Sequence, residues 1–313
     1  MKGKCLYCYG ETTDGKDFHD KCSMAFFGST TPPTIDYSLS QMDELAKNVV
    51  ERSVAVPGVQ PKLSMSLIKE IREKADTRLT VIGALGGEFI LKPPSELYPE
   101  MPENEHVTMK IAQHLGIKTV PCSLIRLASG ELSYITKRID RTHDGKKVHM
   151  LDMFQITEAF DKYKSSMEKI GKAIDLYSSN TLLDKVLYFE LVVFSFITGN
   201  NDMHLKNFSL IKGPVGWTLS PAYDLLSASI ANPDDDEELA LTLNGKKRKL
   251  RSDDFVALGK GMGLSSKQIK GAFKRTVDNL TVITEWIDKS FLSADMKEKY
   301  KAITSTRTKS IGL

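Results

Sequence analysis

The sequence predicts an α+β protein of two lobes, an antiparallel β-rich lobe followed by an all-helical one, behind a small N-terminal Cys/His module. Three observations predict it. Cys5, Cys8 and Cys22 crowd the start of the chain while Cys122 stands alone. Alternating and β-prone runs punctuated by glycine and proline fill the stretch from Val54 to Ile139. Beyond about residue 148 the apolar positions recur at helical spacing. The 313 residues exceed one simple core and divide naturally as 1–28, 29–147 and 148–313.

Composition removes several classes of function. A 41% hydrophobic and 27% charged content is that of an ordinary globular protein. The 43 basic and 40 acidic residues leave a net charge of +3, so no overall field argues for nucleic acid or an anionic membrane. Lys2 and Lys4 are followed by Cys5, Tyr7, Cys8 and Gly10 rather than an apolar run, which is no secretory signal. The most apolar stretch, Leu187 to Ile197, contains Glu190 and is too short to span a bilayer. A cytoplasmic location with no membrane partner is expected, and a reducing compartment argues against a disulfide framework.

In the first module, Cys5-x-x-Cys8 and His19-x-x-Cys22 supply three thiolates and one imidazole, the ligand count of a structural Zn2+ site. The other reading is ordinary free cysteines beside a surface histidine. Thr30-Thr31-Pro32-Pro33 links this module to the next segment, where Ser40 and Asp43 suggest a capped helix across Met42 to Glu51. Strands are expected at Leu63 to Leu67, Leu79 to Ile82 and Glu88 to Lys92, with Gly86-Gly87 as a hairpin or tight turn between the last two. Glu103 to Leu115 has helical spacing and stops at Gly116; Ser123 to Leu127 and Leu132 to Arg138 read as two more strands. The helical lobe is expected to run through Leu151 to Phe160, Met167 to Tyr177, Leu182 to Thr198, Asp253 to Gly261, Ser266 to Ile287 and Ala294 to Ile303. The acidic run Asp234 to Glu238 and the basic run Lys246 to Lys249 read first as solvated loop charges, and second as a mobile segment at the mouth of the site.

The chemistry concentrates where the long apolar helix ends. Gly199-Asn200-Asn201-Asp202-Met203-His204-Leu205-Lys206-Asn207 is followed seventeen residues later by Asp224 in Pro221-Ala222-Tyr223-Asp224. An aspartate, an asparagine five residues on and a second aspartate are the parts of a phosphoryl-transfer site. One carboxylate orients the attacking hydroxyl, while the amide and the second carboxylate hold Mg2+ on a triphosphate. From the β-lobe, Gly58-Val59-Gln60-Pro61-Lys62 offers a glycine turn with a lysine. Lys92, at a strand end, offers a cation for phosphate that Glu105 or Glu103 would orient. Singly, His204, Lys206 and Asp224 read as a surface or core histidine, a solvated charge and a turn residue. In this order, turn, lysine, glutamate-bearing helix, Asp-x4-Asn and Asp, they read as a two-lobed protein-kinase-like fold with its reactive groups at the cleft.

These stretches resemble the HipA-like protein kinases, toxin components of bacterial toxin–antitoxin systems. The resemblance rests on Gly58 to Leu63, Phe89 to Pro93, Glu103-Asn104-Glu105, Ile135 to Arg141, Gly199 to Phe208 and Pro221 to Asp224, and it covers roughly residues 40–310. It implies Asp202 as catalytic base, Asn207 and Asp224 as magnesium ligands, and Lys92 on the ATP phosphates. It further implies Pro57, Gly58, Val59, Gln60 and Lys62 as the nucleotide loop, and Lys137, Arg138 and Ile139 as the hinge that reads adenine. His204, Lys206 and Tyr223 would line the nucleotide site.

The implied substrate is a serine or threonine of an aminoacyl-tRNA synthetase, the tryptophanyl enzyme ahead of the glutamyl one. The implied partners are a helix-turn-helix antitoxin and, through it, operator DNA. The longer family members carry a subdomain before the helix at Met42 where this chain has only the Cys/His module. It thereby looks like the HipT type of the three-component HipBST system, whose missing subdomain is a separate small antitoxin. Three residues before the loop glycine, where members often carry an autophosphorylated serine, stands Ala55, with Ser53 nearby. Either Ala55 replaces a native serine or Ser53 takes its role; phosphate there would set about two negative charges beside those of the nucleotide. Two rival functions are a catalytically idle antitoxin-binding co-repressor and a small-molecule kinase.

Overall fold

The computed structural model describes residues 3–13, 15–42, 44–45, 62–69, 77–81, 87–142 and 144–312. The nucleotide-loop residues Pro57 to Gln60, together with Ser53 and Ala55, lie outside the described residues. So does most of the helix predicted across Met42 to Glu51, of which residues 42, 44 and 45 are helical and Met42 is buried. The chain divides into two compact units, Met1–His106 with Val120–Lys146, and Val107–Thr119 with Lys147–Leu313.

The first unit is organised by a five-stranded antiparallel sheet. Its strands are β3 (Leu63–Lys69), β4 (Thr77–Val81), β5 (Phe89–Lys92), β6 (Cys122–Arg126) and β7 (Leu132–Lys137), in the order β4-β3-β5-β7-β6. Alternation puts Leu63, Met65, Leu79, Phe89, Leu91, Leu124 and Ile135 into the core. The expected β4–β5 hairpin does not form, because β3 takes the place between them and pairs with both. Gly87 is the residue that permits the approach to β3: its φ is 85°, and a Cβ there would stand 2.6 Å from the Met65 carbonyl oxygen. The helix Met101–His114 follows, and its residues Met101 to His106 belong to this unit.

The N-terminal module pairs two short strands, β1 (Gly3–Lys4) and β2 (Glu11–Thr12), ahead of the helix Asp20–Phe27. It packs on the sheet through Phe26 and Phe27, whose ring centroids lie 5.8 and 6.2 Å from that of Phe89. The Leu124 N–H donates to the Leu6 carbonyl at 3.2 Å.

The second unit is built on the helix Thr181–Ile197, whose C-terminal half is buried on every side from Leu191 to Ile197. Around it lie Met167–Tyr177, Ser252–Gly261, Ser266–Asp278, Leu280–Lys289 and Ala294–Ser310. The sequence reading differs from this unit in four places. Leu151 to Phe160 is not one helix: Met150–Asp152 is a strand, β8, and Asp152 then caps the single turn Met153–Ile156 by accepting from the Gln155 N–H at 2.8 Å. That strand pairs with β9 (Ser209–Gly213), which pairs with β10 (Gly216–Leu219), adding a three-stranded sheet to the helical unit. The helix expected over Ser266 to Ile287 breaks at Asn279. Finally, the acidic and basic runs are loop charges largely open to solvent, as expected, but they also pair with each other, Lys247 with Glu237 at 3.0 Å and Arg248 with Asp236 at 2.8 Å. Among the described residues no helix is long and apolar enough to cross a membrane.

Candidate active site

Two clusters, one in each unit, hold Lys92 and the predicted catalytic and metal-binding residues, while Pro57 to Gln60 lie outside the described residues. In the first unit Lys92 ends β5 and faces Glu105, the Nζ standing 2.6 and 2.8 Å from the two carboxylate oxygens. Glu105, rather than Glu103, takes the lysine. The pair is 4% and 1% exposed, so each charge has left water and depends on the other. Lys92 Nζ also lies 5.3 Å from the ring centroid of Tyr134, its register partner on β7. Burial instead pushes the Glu103 carboxyl up to about 7, helped by the charge of Glu100.

The predicted hinge follows β7. Lys137 is half-buried with Nζ 5.6 Å from the Phe26 ring centroid, and burial lowers its pKa. Arg138 donates its N–H to the Glu88 carbonyl at 2.8 Å and clamps Asp140 with Nε and Nη2 at 2.9 and 2.7 Å. Burial would raise the Asp140 pKa, but the hydrogen bonds and charges of Arg138 and Arg141 outweigh it and hold the carboxyl low. Ile139 sits half-buried in the bend between, and Lys62 is exposed just before β3.

In the second unit the helix Thr181–Ile197 delivers the chain to Gly199, at φ 68°. A Cβ at Gly199 would stand 2.7 Å from Ile303 Cγ2 and 3.1 Å from Ser227 Oγ, so this turn is closed to larger residues. From there the backbone folds on itself: the Asn200 N–H returns to the Ser195 carbonyl, and the Asp202 N–H meets Asn200 Oδ1 at 3.3 Å. A single 3₁₀ turn, Leu205–Asn207, follows, and Asn207 Oδ1 accepts the His204 N–H at 3.2 Å. This turn aims Asn207 at Asp224: its Nδ2 donates to Asp224 Oδ2 at 3.2 Å across seventeen residues. Asp224 has a φ of 55°, uncommon for a residue with a Cβ and typical of strained functional loops.

Asp202 is half-buried, and its Oδ1 accepts the Tyr163 hydroxyl at 2.8 Å. Burial pushes the Tyr163 phenol well above its usual range, and the charge of Asp202 with this hydrogen bond adds to the rise. The Tyr163 ring also meets that of His204 edge-on, 5.0 Å between centroids. Tyr223 donates to the Lys206 carbonyl at 3.0 Å and shares a hydrogen bond with Ser209, tying the Asp224 segment to the 3₁₀ turn. Lys206 itself turns to the Phe154 ring, 4.8 Å from its centroid. Asp202, His204, Asn207, Tyr223 and Asp224 therefore form one connected cluster. Tyr163 joins it from 39 residues upstream of Asp202, and nothing in its own sequence context, Asp161-Lys162-Tyr163-Lys164, announces that contact.

A family model described as the HipA-like C-terminal domain matches residues 54–284. A protein of Haemophilus influenzae named "Putative kinase" is 28% identical over 248 residues, 70% of this chain and 70% of that one. The serine/threonine-protein kinase toxin HipA of Shewanella oneidensis is 24% identical over 233 residues, 67% of this chain and 52% of that one. A solved HipA chain of Shewanella oneidensis, in complex with HipB and its operator DNA, superposes with a TM-score of 0.67 at 21% identity, covering 82% of this chain and 65% of that one. This likeness and the element order carry the kinase-like α+β fold. With the family model lying over most of its length, the chain belongs to the HipA-like kinases.

Proposed function

We propose that the chain is an ATP- and magnesium-dependent kinase that phosphorylates a serine or threonine of a protein, acting as the toxin of a bacterial toxin–antitoxin system. The observation that carries this reading is the cluster at the end of the long helix, where Asp202 binds a hydroxyl and Asn207 touches Asp224. The Tyr163 O–H, which donates a hydrogen bond to Asp202 Oδ1 at 2.8 Å, supports this reading, since a hydroxyl can reach the carboxylate there. A substrate hydroxyl in that place would be held and oriented for attack. Asn207 and Asp224 offer an amide oxygen and a carboxylate, the hard oxygen donors that magnesium takes; the Asn207 side chain already touches Asp224 through Nδ2, and its Oδ1, which accepts the His204 N–H, would be the ligand. When bound, the ion would offset the charge of the phosphates.

Lys92, its rotamer fixed by Glu105, is the phosphate lysine of this proposal. Pro57, Gly58, Val59, Gln60 and Lys62 would serve as the nucleotide loop, Lys137 to Ile139 as the adenine reader, and His204, Lys206 and Tyr223 as further nucleotide contacts. The proposed substrate is an aminoacyl-tRNA synthetase, the tryptophanyl enzyme ahead of the glutamyl one. Support for the partners comes from the Shewanella complex of HipA with HipB and operator DNA. By that analogy an antitoxin, and DNA through it, are the proposed partners; the sequence resemblance alone suggests that this antitoxin is of the helix-turn-helix kind and adds a small separate antitoxin of the HipBST type.

Incubating the purified chain with labelled ATP, magnesium and a panel of purified synthetases tests the reading. Label should enter one synthetase, and Asp202→Gln should abolish both that label and growth arrest on expression. Label on sugars or aminoglycosides instead would move the assignment to a small-molecule kinase. Growth arrest that persists in Asp202→Gln would move it to a binding module.

A further inference from the structure

We infer that Cys5, Cys8, His19 and Cys22 bind one structural zinc ion, and that this ion staples the N-terminal module to the strand carrying Lys92 and the helix carrying Glu105. The zinc site does not rest on the kinase reading. The four ligand atoms all lie within 4.8 Å of one another, and the cysteines are free thiols. His19 Nδ1 stands 3.4 Å from Cys8 Sγ and 3.6 Å from Cys22 Sγ. A tetrahedral site with Zn–S of about 2.3 Å and Zn–N of about 2.0 Å needs sulfur–nitrogen separations of roughly 3.5 Å. The set is therefore near ligand geometry before any adjustment.

Two features of the surroundings argue for a built site. The other nitrogen of His19, Nε2, lies 2.8 Å from the Glu11 carbonyl oxygen, which can only accept. Nε2 must carry the proton, so the Nδ1 lone pair faces the thiols, the usual support of a metal-ligating histidine. The turn after Cys8 is shaped for the same purpose. Tyr9 has a φ of 63°, the Tyr9 N–H returns to the Cys5 carbonyl, and the Cys5 N–H donates to the Gly10 carbonyl. A Cβ on Gly10 would come within 3.2 Å of His19 Cε1 and 3.5 Å of Cys8 Sγ, so glycine leaves the room the ligands use. Three thiolates and an imidazole favour zinc over magnesium or calcium, and four protein ligands close the shell to substrate, which makes the ion structural.

The neighbours of the ligands give the ion its consequence. Tyr9, beside Cys8, shares a 2.8 Å hydrogen bond with His106, next to Glu105 on its helix. His19 and Cys22 begin the helix Asp20–Phe27, whose Phe26 and Phe27 rest on Phe89, three residues before Lys92. Both paths lie within the first unit. Holding four ligands on one ion fixes the small module, which has only a few apolar residues of its own to bury.

The test uses the full chain, purified without chelator and desalted. Metal analysis by mass spectrometry should find about one zinc per chain. Exchange with cobalt should give a thiolate charge-transfer band and the strong visible bands of a tetrahedral ion. Cys5→Ser and Cys22→Ser should each lower bound zinc at least tenfold; the cobalt spectrum of the unaltered chain decides the matter if those variants fail to fold. Stripping zinc with chelator should speed hydrogen exchange in Phe89–Lys92 and Met101–His106. A folded, zinc-free chain that takes up no thiolate-bound cobalt, or one holding iron instead, overturns the site. Unchanged exchange in those two segments after zinc removal overturns the staple.

Discussion

The two clusters that bear the proposed chemistry are built in opposite ways. Lys92 and Glu105 form a closed pair, buried to 4% and 1% exposure, with a lysine charge and a carboxylate charge satisfied together. Asp202 and Asp224 lie half-exposed in loops beside the buried Asn207, and the uncharged donors Tyr163 and Asn207 each hydrogen-bond to one of the two carboxylates. A buried ion pair is costly to separate, whereas a hydrogen bond from an uncharged donor to a carboxylate contributes about 1.5–3 kcal/mol and its donor can be replaced by water or another hydroxyl. In the proposed reading the first cluster is thus a fixed part, and the second a set of groups that would trade partners with a substrate hydroxyl and a metal ion. A phosphoryl-transfer enzyme needs both: a cation that does not move, and acceptors that change partners each turnover.

The comparison is tested most severely at Asp202. Asp202→Asn keeps the size of the side chain and removes the charge that takes the proton. Phosphate transfer should fall by about 10²- to 10⁴-fold, the usual worth of a general base, with the chain still folded. Single-turnover transfer measured beside nucleotide binding separates the two effects. Equal losses in both would mean that Asp202 holds the nucleotide and is not the base.

Next in size is the buried pair. Lys92→Met leaves the Glu105 charge without its lysine, which should cost about 3–5 kcal/mol of stability. The double change Lys92→Met with Glu105→Leu should recover most of that loss in a denaturant titration while leaving the chain inactive. A double variant as unstable as the single one would show that the pair holds the fold through packing rather than charge.

Much of this contrast is legible in the sequence, and the limits are physical. Asp202, Asn207 and Asp224 lie within one short stretch, so spacing alone suffices to group them, and Lys92 with Glu105 spans a strand end and the start of the next helix. Tyr163 lies 39 residues before Asp202, and only the packed backbone brings them together. The strands of the second unit are hidden for another reason. Met150–Asp152 is three residues long and runs straight into a helical turn, so its pattern merges with its neighbour's. The break at Asn279 is masked because Ile269, Phe273, Ile283 and Ile287 keep one buried face through both helices. The pairing of Lys247 with Glu237 joins two charge runs ten residues apart, which composition reads as two independent solvated loops.

A pH effect separates the two glutamates of the helix that serves Lys92. Glu103 has a buried carboxylate oxygen with no hydrogen-bond partner, and burial pushes its pKa up to about 7. The folded value lies above the unfolded one of about 4.3, so the folded chain binds this proton more tightly. The resulting stability is present in full below the unfolded value and is lost as pH rises through about 7. Glu103→Gln, a neutral mimic of the protonated acid, should therefore melt higher than the unaltered chain at pH 8 and nearly level with it at pH 4. Glu105→Gln should melt lower at both, since Lys92 then loses its carboxylate. A Glu103→Gln advantage that does not change with pH would place the gain in packing, not protonation.

The smallest effect is expected at Tyr163, where the hydroxyl on Asp202 is partly open to solvent, the residue being 37% exposed. Tyr163→Phe removes one hydrogen bond to a charged group and leaves the ring against His204. Stability should change by no more than about 3 kcal/mol, the upper end for a hydrogen bond to a charged group. Activity should change by less than about tenfold, in either direction, according to whether the hydroxyl steadies Asp202 or competes with substrate for it. The contact itself has a sharper signature. Asp202 raises the Tyr163 phenol pKa by its charge and its hydrogen bond, on top of burial, so neutralising Asp202 should bring the phenol down. Carbon-13 labelling of the tyrosine rings allows the ring-carbon shift at the Tyr163 hydroxyl, which reports its hydrogen bond, to be compared by NMR at neutral pH in the unaltered chain and in Asp202→Asn. A changed shift on losing the Asp202 charge would show that the phenol meets this carboxylate in solution. An unchanged shift would mean that the two side chains are apart in solution, and the contrast with the buried Lys92–Glu105 pair would lose its best example.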